Sequence, residues 1–277
     1  MQKLINHILA PVGSGKKWAM VAERAVHMAN HFQCSLHLLY VENNALVPFF
    51  GAPDENDKGN SRKKLSVLNE RYSSLLEPGL PLHLSSCRGD AEQLIAEYAI
   101  RNFIDVILVS CSGKPLSGSL FGSLSINRLA RKTRAAVLTV NNQPAFEKVR
   151  NIVLPVASQI PMKKLMLTSY MARKYNATIH LVGLTKRYPH SSVNDTLYLY
   201  KTVQLLRDNT NLAVEYHILP GENIADKTLE YAQQINADLI VVNPGKELLL
   251  SGFINKLFAR FIFNESAIPV LTINPAD

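Results

Sequence analysis

His7-Ile8-Leu9-Ala10-Pro11-Val12, an apolar run broken by a proline, returns later in the chain as Asn151-Ile152-Val153-Leu154-Pro155-Val156. Three more stretches return in the same order. Residues 34–41 come back as 177–184, both with a histidine fourth (His37 and His180). Gly89-Asp90 followed by Glu97-Tyr98-Ala99 comes back as Gly221-Glu222 followed by Glu230-Tyr231-Ala232, and residues 136–140 as 269–273. The offset stays between 132 and 144 positions, too long for a solenoid repeat, so the pattern is that of a duplicated domain. A chain of 277 residues then divides into two domains of ordinary size, 1–146 and 147–277. The polar turn Asn141-Asn142-Gln143-Pro144-Ala145 joins them.

Each half alternates strand and helix. In the first, strands are expected at 4–12, 34–41, 80–87, 105–111 and 135–140. Trp18, Val21, Ala22, Ala25, Met28, Ala29 and Phe32 recur at helical spacing, and further helices are expected at 62–76, 91–102 and 123–132. The stretch 42–60, rich in Asn, Asp, Gly and Pro, reads as irregular. The second half repeats the order, with strands at 149–156, 177–184, 211–219, 238–243 and 268–273. Its helices fall at 161–175, 193–209, 223–235 and 253–264. Strands that are apolar on both faces and separated by helices make a parallel sheet covered on both sides. Ligands of such sheets sit beyond the carboxyl ends of the strands, where the strand order reverses, which draws attention to the loops after strands one and four.

Composition narrows the function. With 47% hydrophobic and 19% charged residues, each half has enough apolar surface for a core. No apolar run approaches the 18 or so residues of a membrane span, and no secretory signal pattern is evident. Three cysteines without CxxC spacing fit a reducing compartment, so the cytoplasm is the expected location. The net charge of +8 is spread over both halves. It suits anionic ligands, but no basic–aromatic interleaving accompanies it and nucleic acid is not the expected partner.

After strand four comes Ser110-Cys111-Ser112-Gly113-Lys114-Pro115-Leu116-Ser117-Gly118-Ser119-Leu120-Phe121-Gly122-Ser123. Small residues admit a ligand close to the backbone, and successive N–H groups make an anion cradle. An ordinary loop with Ser123 as a helix cap is the competing account. Gly13-Ser14-Gly15-Lys16-Lys17 is not a Walker A loop, because that motif requires glycine at position 10 and Ser or Thr after the lysine, and the chain has Ala10 and Lys17. Glu23, His27 and His31 share a helix face that reads as solvated, and no metal ligands are assigned. No Ser/His/Asp order or acid pair supports catalysis.

These features together make the chain resemble the universal stress proteins, in a tandem form with two copies of the family's small domain. The resemblance rests on the Ile-Leu-x-Pro-Val opening, the Gly89-Asp90 turn, the strand-four loop and the closing Val137-Leu138-Thr139-Val140. It implies two doubly wound α/β domains, each with a five-stranded parallel sheet in the order 3-2-1-4-5. The family's nucleotide motif, Gly-x2-Gly-x9-Gly-Ser/Thr, matches at Gly113 with one residue fewer before Gly122-Ser123, and Ser110 replaces its first glycine. The site implied for the first half runs through Pro11, Gly13, Val41 and Ser110, then Ser112, Gly113, Gly122, Ser123, Leu124 and Ser125. Gly13 stands where the family carries a nucleotide-contacting aspartate, and Val41 where it contacts adenine. The second half has Ala157 at the aspartate position and Asn255-Lys256 at the glycine–serine position, a degenerate site.

The ligand so implied is ATP or another adenine nucleotide in the first half, with no metal beyond Mg accompanying it. Pairing of the two halves within the chain is also implied, with a homodimer as a further form. A ligand-free interaction module with decayed pockets is the alternative function.

Overall fold

Val106–Val109 and Leu239–Val242 are apolar and buried at every position, as the central strand of a sheet covered on both faces must be. The computed structural model of the protein describes residues 2–13, 16–42, 55–110, 126–140, 148–157, 159–160, 162–185, 193–221, 223–243 and 268–274. It separates into two units, Met1–Asn142 and Gln143–Asp277.

The first unit runs β1 (His7–Val12), α1 (Lys16–Phe32), β2 (Ser35–Glu42), α2 (Glu55–Ser73), β3 (Leu82–Arg88), α3 (Ala91–Arg101), β4 (Val106–Ser110), α4 (Ile126–Thr133) and β5 (Ala136–Val140). Its strands lie in the order β3-β2-β1-β4-β5 and all pair in parallel. The second unit runs β6 (Asn151–Pro155), α5 (Met162–Tyr175), β7 (Thr178–Thr185), α6 (Val193–Asn209), β8 (Val214–Pro220), α7 (Ile224–Gln234), β9 (Leu239–Val242) and β10 (Val270–Thr272). Its order, β8-β7-β6-β9-β10, is the same, again parallel. The doubly wound architecture and strand order implied by the resemblance are therefore present in each unit.

One face of the first sheet packs Leu9, Leu39, Ile107 and Val137 against Ile95 and Ala99 of α3 and Leu129 of α4. The matching face of the second packs Val153, Val182, Ile240 and Val270 against Leu229 and Ala232 of α7. The helix expected at 62–76 in fact begins at Glu55 and ends at Ser73. Gly59 lowers helix propensity by about 1 kcal/mol relative to alanine without forbidding a helix, so the breaker reading of 42–60 was too strict at its end. The helix expected at 253–264 lies outside the described residues.

Two devices fix the strand ends in both units. Asp105 Oδ2 accepts from the N–H groups of Asn6 (2.7 Å) and His7 (3.0 Å), tying the start of β4 to the start of β1. Asp238 Oδ2 does the same for Arg150 (2.7 Å) and Asn151 (2.9 Å). At the other end, Gly89 has φ +142°, a region costly for any side chain. That turn lets Gly89 N–H donate to Glu42 O (3.2 Å) and sets Asp90 to cap α3 by accepting from Gln93 N–H (2.8 Å). Gly221 N–H likewise donates to Thr185 O (3.1 Å), and Asn223 caps α7 from one residue further on.

Candidate functional site

The prolines of the repeated opening strand decide where each sheet parts. Val156 N–H donates to Val182 O (2.8 Å) on the β7 side. Strand alternation then turns the nitrogen of residue 155 toward β9, and Pro155 has no hydrogen to offer there. Pairing between β6 and β9 accordingly stops at Val153–Ile240, although β6 pairs with β7 through Pro155. In the first unit β1 and β4 pair only at Ile8–Val106 and Leu9–Ile107, whereas β1 and β2 pair as far as Val12–Tyr40. The central strands therefore separate toward their carboxyl ends, at the reversal of strand order where such folds bind ligands.

In the first unit this crevice is bordered by half-buried Gly13 after β1 and half-buried Ser110 at the end of β4. Pro11 is buried within β1. Val41 is buried among Ala91, Ile95 and Leu39 in the α3-side core, so what this position presents at the strand end is main chain. Ser112, Gly113, Gly122, Ser123, Leu124 and Ser125 lie outside the described residues. Nearby, Glu42 at the end of β2 pairs with Lys64 of α2 at 3.0 Å, and the Lys64 ammonium lies 4.8 Å above the Tyr40 ring. Burial alone would lower the Lys64 pKa, and the hydrogen bonds that Lys64 donates to Glu42 and Tyr40 outweigh it to raise it. Cys87, beside Val41 on β3, is pushed up to about 11 by burial and by Glu42. A thiol so protonated is a poor nucleophile.

The second unit finishes the same crevice differently. Lys164 of α5 is completely buried and donates from Nζ to Pro155 O at 2.7 Å, a carbonyl that faces the parting strands. Counted back from the helix ends at Phe32 and Tyr175, the first unit has Val21 in its place. Ala157 lies two residues after the proline, and buried Asn243 follows β9 with its Oδ1 lacking a hydrogen-bond partner among the described residues. An ammonium thus occupies the second crevice where the first has an aliphatic side chain.

Each unit also has a polar assembly away from the carboxyl ends, against α3 in the first and α7 in the second. His37 Nδ1 is 3.1 Å from Tyr98 OH, its Nε2 is 3.2 Å from His7 Nδ1, and His83 stacks on it at 4.4 Å. Burial, then the charges of His83 and His7, lower His37 to about 4. In the second unit His180 Nδ1 is 3.1 Å from Tyr231 OH and its Nε2 is 3.2 Å from Asn151 Oδ1. Burial lowers His180 as well, with Glu215 opposing the shift and His217 adding to it. The repeated histidines showed in the sequence, and so did the tyrosines, inside the repeated Glu-Tyr-Ala. Glu215 and His217 did not, because the strand-three sequences share no recognisable pattern. Glu23 of the solvated α1 face forms an ion pair with Arg71 at 2.7 Å.

Residues 5–141 match the model of the universal stress protein family. A universal stress protein from Archaeoglobus fulgidus has a similar structure, with TM-score 0.72, 14% identity and 99% of each chain covered. A functionally unknown protein from Pseudomonas aeruginosa is similar over 98% of this chain and 93% of its own, at 19% identity and TM-score 0.59. A universal stress protein in complex with cAMP covers 50% of this chain and 98% of its own, at 18% identity and TM-score 0.37. Such identities speak to the fold alone. No curated protein sequence matches the chain significantly. Among the described residues no helix is long and apolar enough to cross a membrane.

Proposed function

We propose, for a chain that belongs to the universal stress protein family through residues 5–141, that it acts in the cytoplasmic stress response by binding one phosphate-bearing ligand in its first unit. The observation that carries this reading is the unequal finish of two crevices built alike. Gly13 and Ser110 border the first, whereas Lys164 sits on Pro155 O in the second. The Ser112–Ser125 sequence supports the phosphate side, since small residues and a helix start supply N–H donors to an anion. ATP or another adenine nucleotide is the ligand class the family resemblance favours, and any Mg2+ would arrive with it. With glycine at position 13, no carboxylate there reads the nucleoside. Discrimination is weaker by roughly 1–3 kcal/mol, the cost of one missing buried partner.

Calorimetry on the full chain with ATP, ADP, AMP and cAMP tests this. Gly122→Val, at the glycine of the motif match, is expected to abolish binding, and Asn255→Val in the second unit to leave it unchanged. Affinity is expected to fall as salt rises, because charge-assisted hydrogen bonds dominate. Native mass spectrometry of the purified protein would reveal a retained ligand and count subunits, deciding between a monomer and the homodimer. A parent chain that binds no nucleotide at millimolar concentration, or equal loss in both variants, would replace this reading with the interaction module. The buried Lys164 seated on Pro155 O in the second unit is the observation that favours that module.

A further inference from the structure

We propose that the second unit binds a zinc-class divalent metal ion at the β7–β8 edge, through His180 Nδ1, the Glu215 carboxylate and His217 Nε2. The three side chains project from one face of neighbouring strands, because His180 pairs directly with Glu215 and His217 lies two residues further along β8. Glu215 Oε2 is 3.4 Å from His180 Nδ1 and 3.6 Å from His217 Nε2. The three ligand atoms all lie within 4.8 Å of one another. A tetrahedral centre with metal–ligand bonds of about 2.0–2.1 Å has edges of about 3.3–3.4 Å. Two edges are therefore close to that size before any metal arrives. Rotation of the partly exposed His217 and Glu215 side chains can close the third.

Donor chemistry points the same way. Two imidazoles and a carboxylate suit zinc and its neighbours in the transition series rather than Mg2+ or Ca2+, which take oxygen ligands. Asn151 Nδ2 donates to Ile235 O (3.4 Å), which turns its Oδ1 toward His180 Nε2 at 3.2 Å. That acceptor holds the imidazole proton on Nε2, the outer-shell arrangement metal-bound histidines use. It leaves Nδ1 as an acceptor that the Tyr231 hydroxyl occupies at 3.1 Å, so metal binding takes this nitrogen from the tyrosine. The decisive observation is His217 Nε2, a buried ring nitrogen with no hydrogen-bond partner among the described residues, the Glu215 carboxylate lying just beyond hydrogen-bond reach at 3.6 Å. Buried polar atoms are normally satisfied, and an ion is one of the few things that satisfies this one. Three protein ligands leave a fourth position for water or an exogenous group, on the side where Glu215 is exposed.

The first unit is an internal control. His83 stands where Glu215 does in the strand register and lies stacked on His37, and Ser85 replaces His217. The carboxylate and one imidazole are both missing from the equivalent position.

The test uses the full chain, stripped with a chelator and titrated with Zn2+ by calorimetry. Co2+ serves as the optical probe, because tetrahedral cobalt absorbs in the visible. The expected result is one zinc per chain, a cobalt spectrum of low-symmetry tetrahedral type, and a zinc-dependent rise in Tm. His217→Ala and Glu215→Gln should each remove the cobalt spectrum and the Tm response. Asn151→Ala should weaken zinc about 10- to 100-fold, the usual effect of losing an outer-shell partner. His83→Ala should change nothing. Glu215 is an exposed edge-strand residue, so Glu215→Gln keeps the test valid if His217→Ala does not fold, with far-UV circular dichroism as the check. A parent chain that takes up no zinc, or zinc binding that survives both ligand substitutions, overturns the assignment.

Discussion

The two units share a backbone and differ in what they present from it. Both hold the first strand with an aspartate at the start of the fourth, and both turn at a glycine before a capped helix. Both part their central strands after a proline and place a histidine against a tyrosine. They diverge at Val21 and Lys164, at Ser110 and Asn243, and at Ser85 and His217. Duplication has kept residues that set main-chain geometry and changed those that face crevice or edge. The copies therefore differ in the side chains they present more than in how they fold.

If the cores are equivalent, matched cavities should cost alike, and this is the largest effect expected. Ile107→Ala and Ile240→Ala remove fully buried side chains at corresponding register positions. Each should destabilise its own unit by about 2–5 kcal/mol. Urea unfolding followed by hydrogen exchange in each unit would separate them, and a twofold disparity in cost would break the equivalence.

Acid should split the units next. The folded pKa of His37, about 4, lies below its ordinary 6.5, so below pH 6.5 the unfolded chain takes up a proton the folded one refuses. The stability contributed by neutral His37 is therefore complete above pH 6.5 and is lost as pH falls toward 4. From pH 7 to 5 the loss is about 2 kcal/mol. His180 is shifted the same way, but the Glu215 charge opposes the shift, so the second unit should lose less. Urea midpoints at the two pH values in the parent and in His37→Gln would check this. A variant as acid-sensitive as the parent would sink the assignment to His37.

The smallest effect belongs to the caps. Asp90→Ala and Asn223→Ala each remove an acceptor from first-turn N–H groups and should cost about 0.5–2 kcal/mol in thermal melts. Asp90 also carries a charge that favours the helix N-terminus, so its loss should be the greater at low salt and the two should converge at high salt.

Much of the fold was legible because hydrophobic periodicity and repetition are both written along the chain. Leu9, Ile107 and their counterparts had to face a core wherever the strands ran. The start of α2 was misread because Gly and Asn signal turns only when no longer-range packing favours a helix. The crevice was legible as the loops after strands one and four, but the part the prolines play in opening it depends on which neighbouring strand each residue faces. Nothing in the sequence sets Lys164 apart from the other helix lysines; its burial follows from a carbonyl nine residues away that only the folded strand exposes. Glu215 and His217 carry no message without the β7–β8 register that sets His180 opposite Glu215.

The aspartate clamps also bear on how each unit comes together in time. Asn6 N–H and the Asp105 carboxylate are 99 positions apart, and Arg150 and Asp238 are 88 apart. The first strand to be synthesised therefore cannot complete its own hydrogen bonding until the fourth has been made, and closing so long a loop slows the search. Its inner edge stays open through most of synthesis, when the apolar segment His7–Val12 has only β2 to pair with, and a nascent chain in that condition is a natural client for a chaperone.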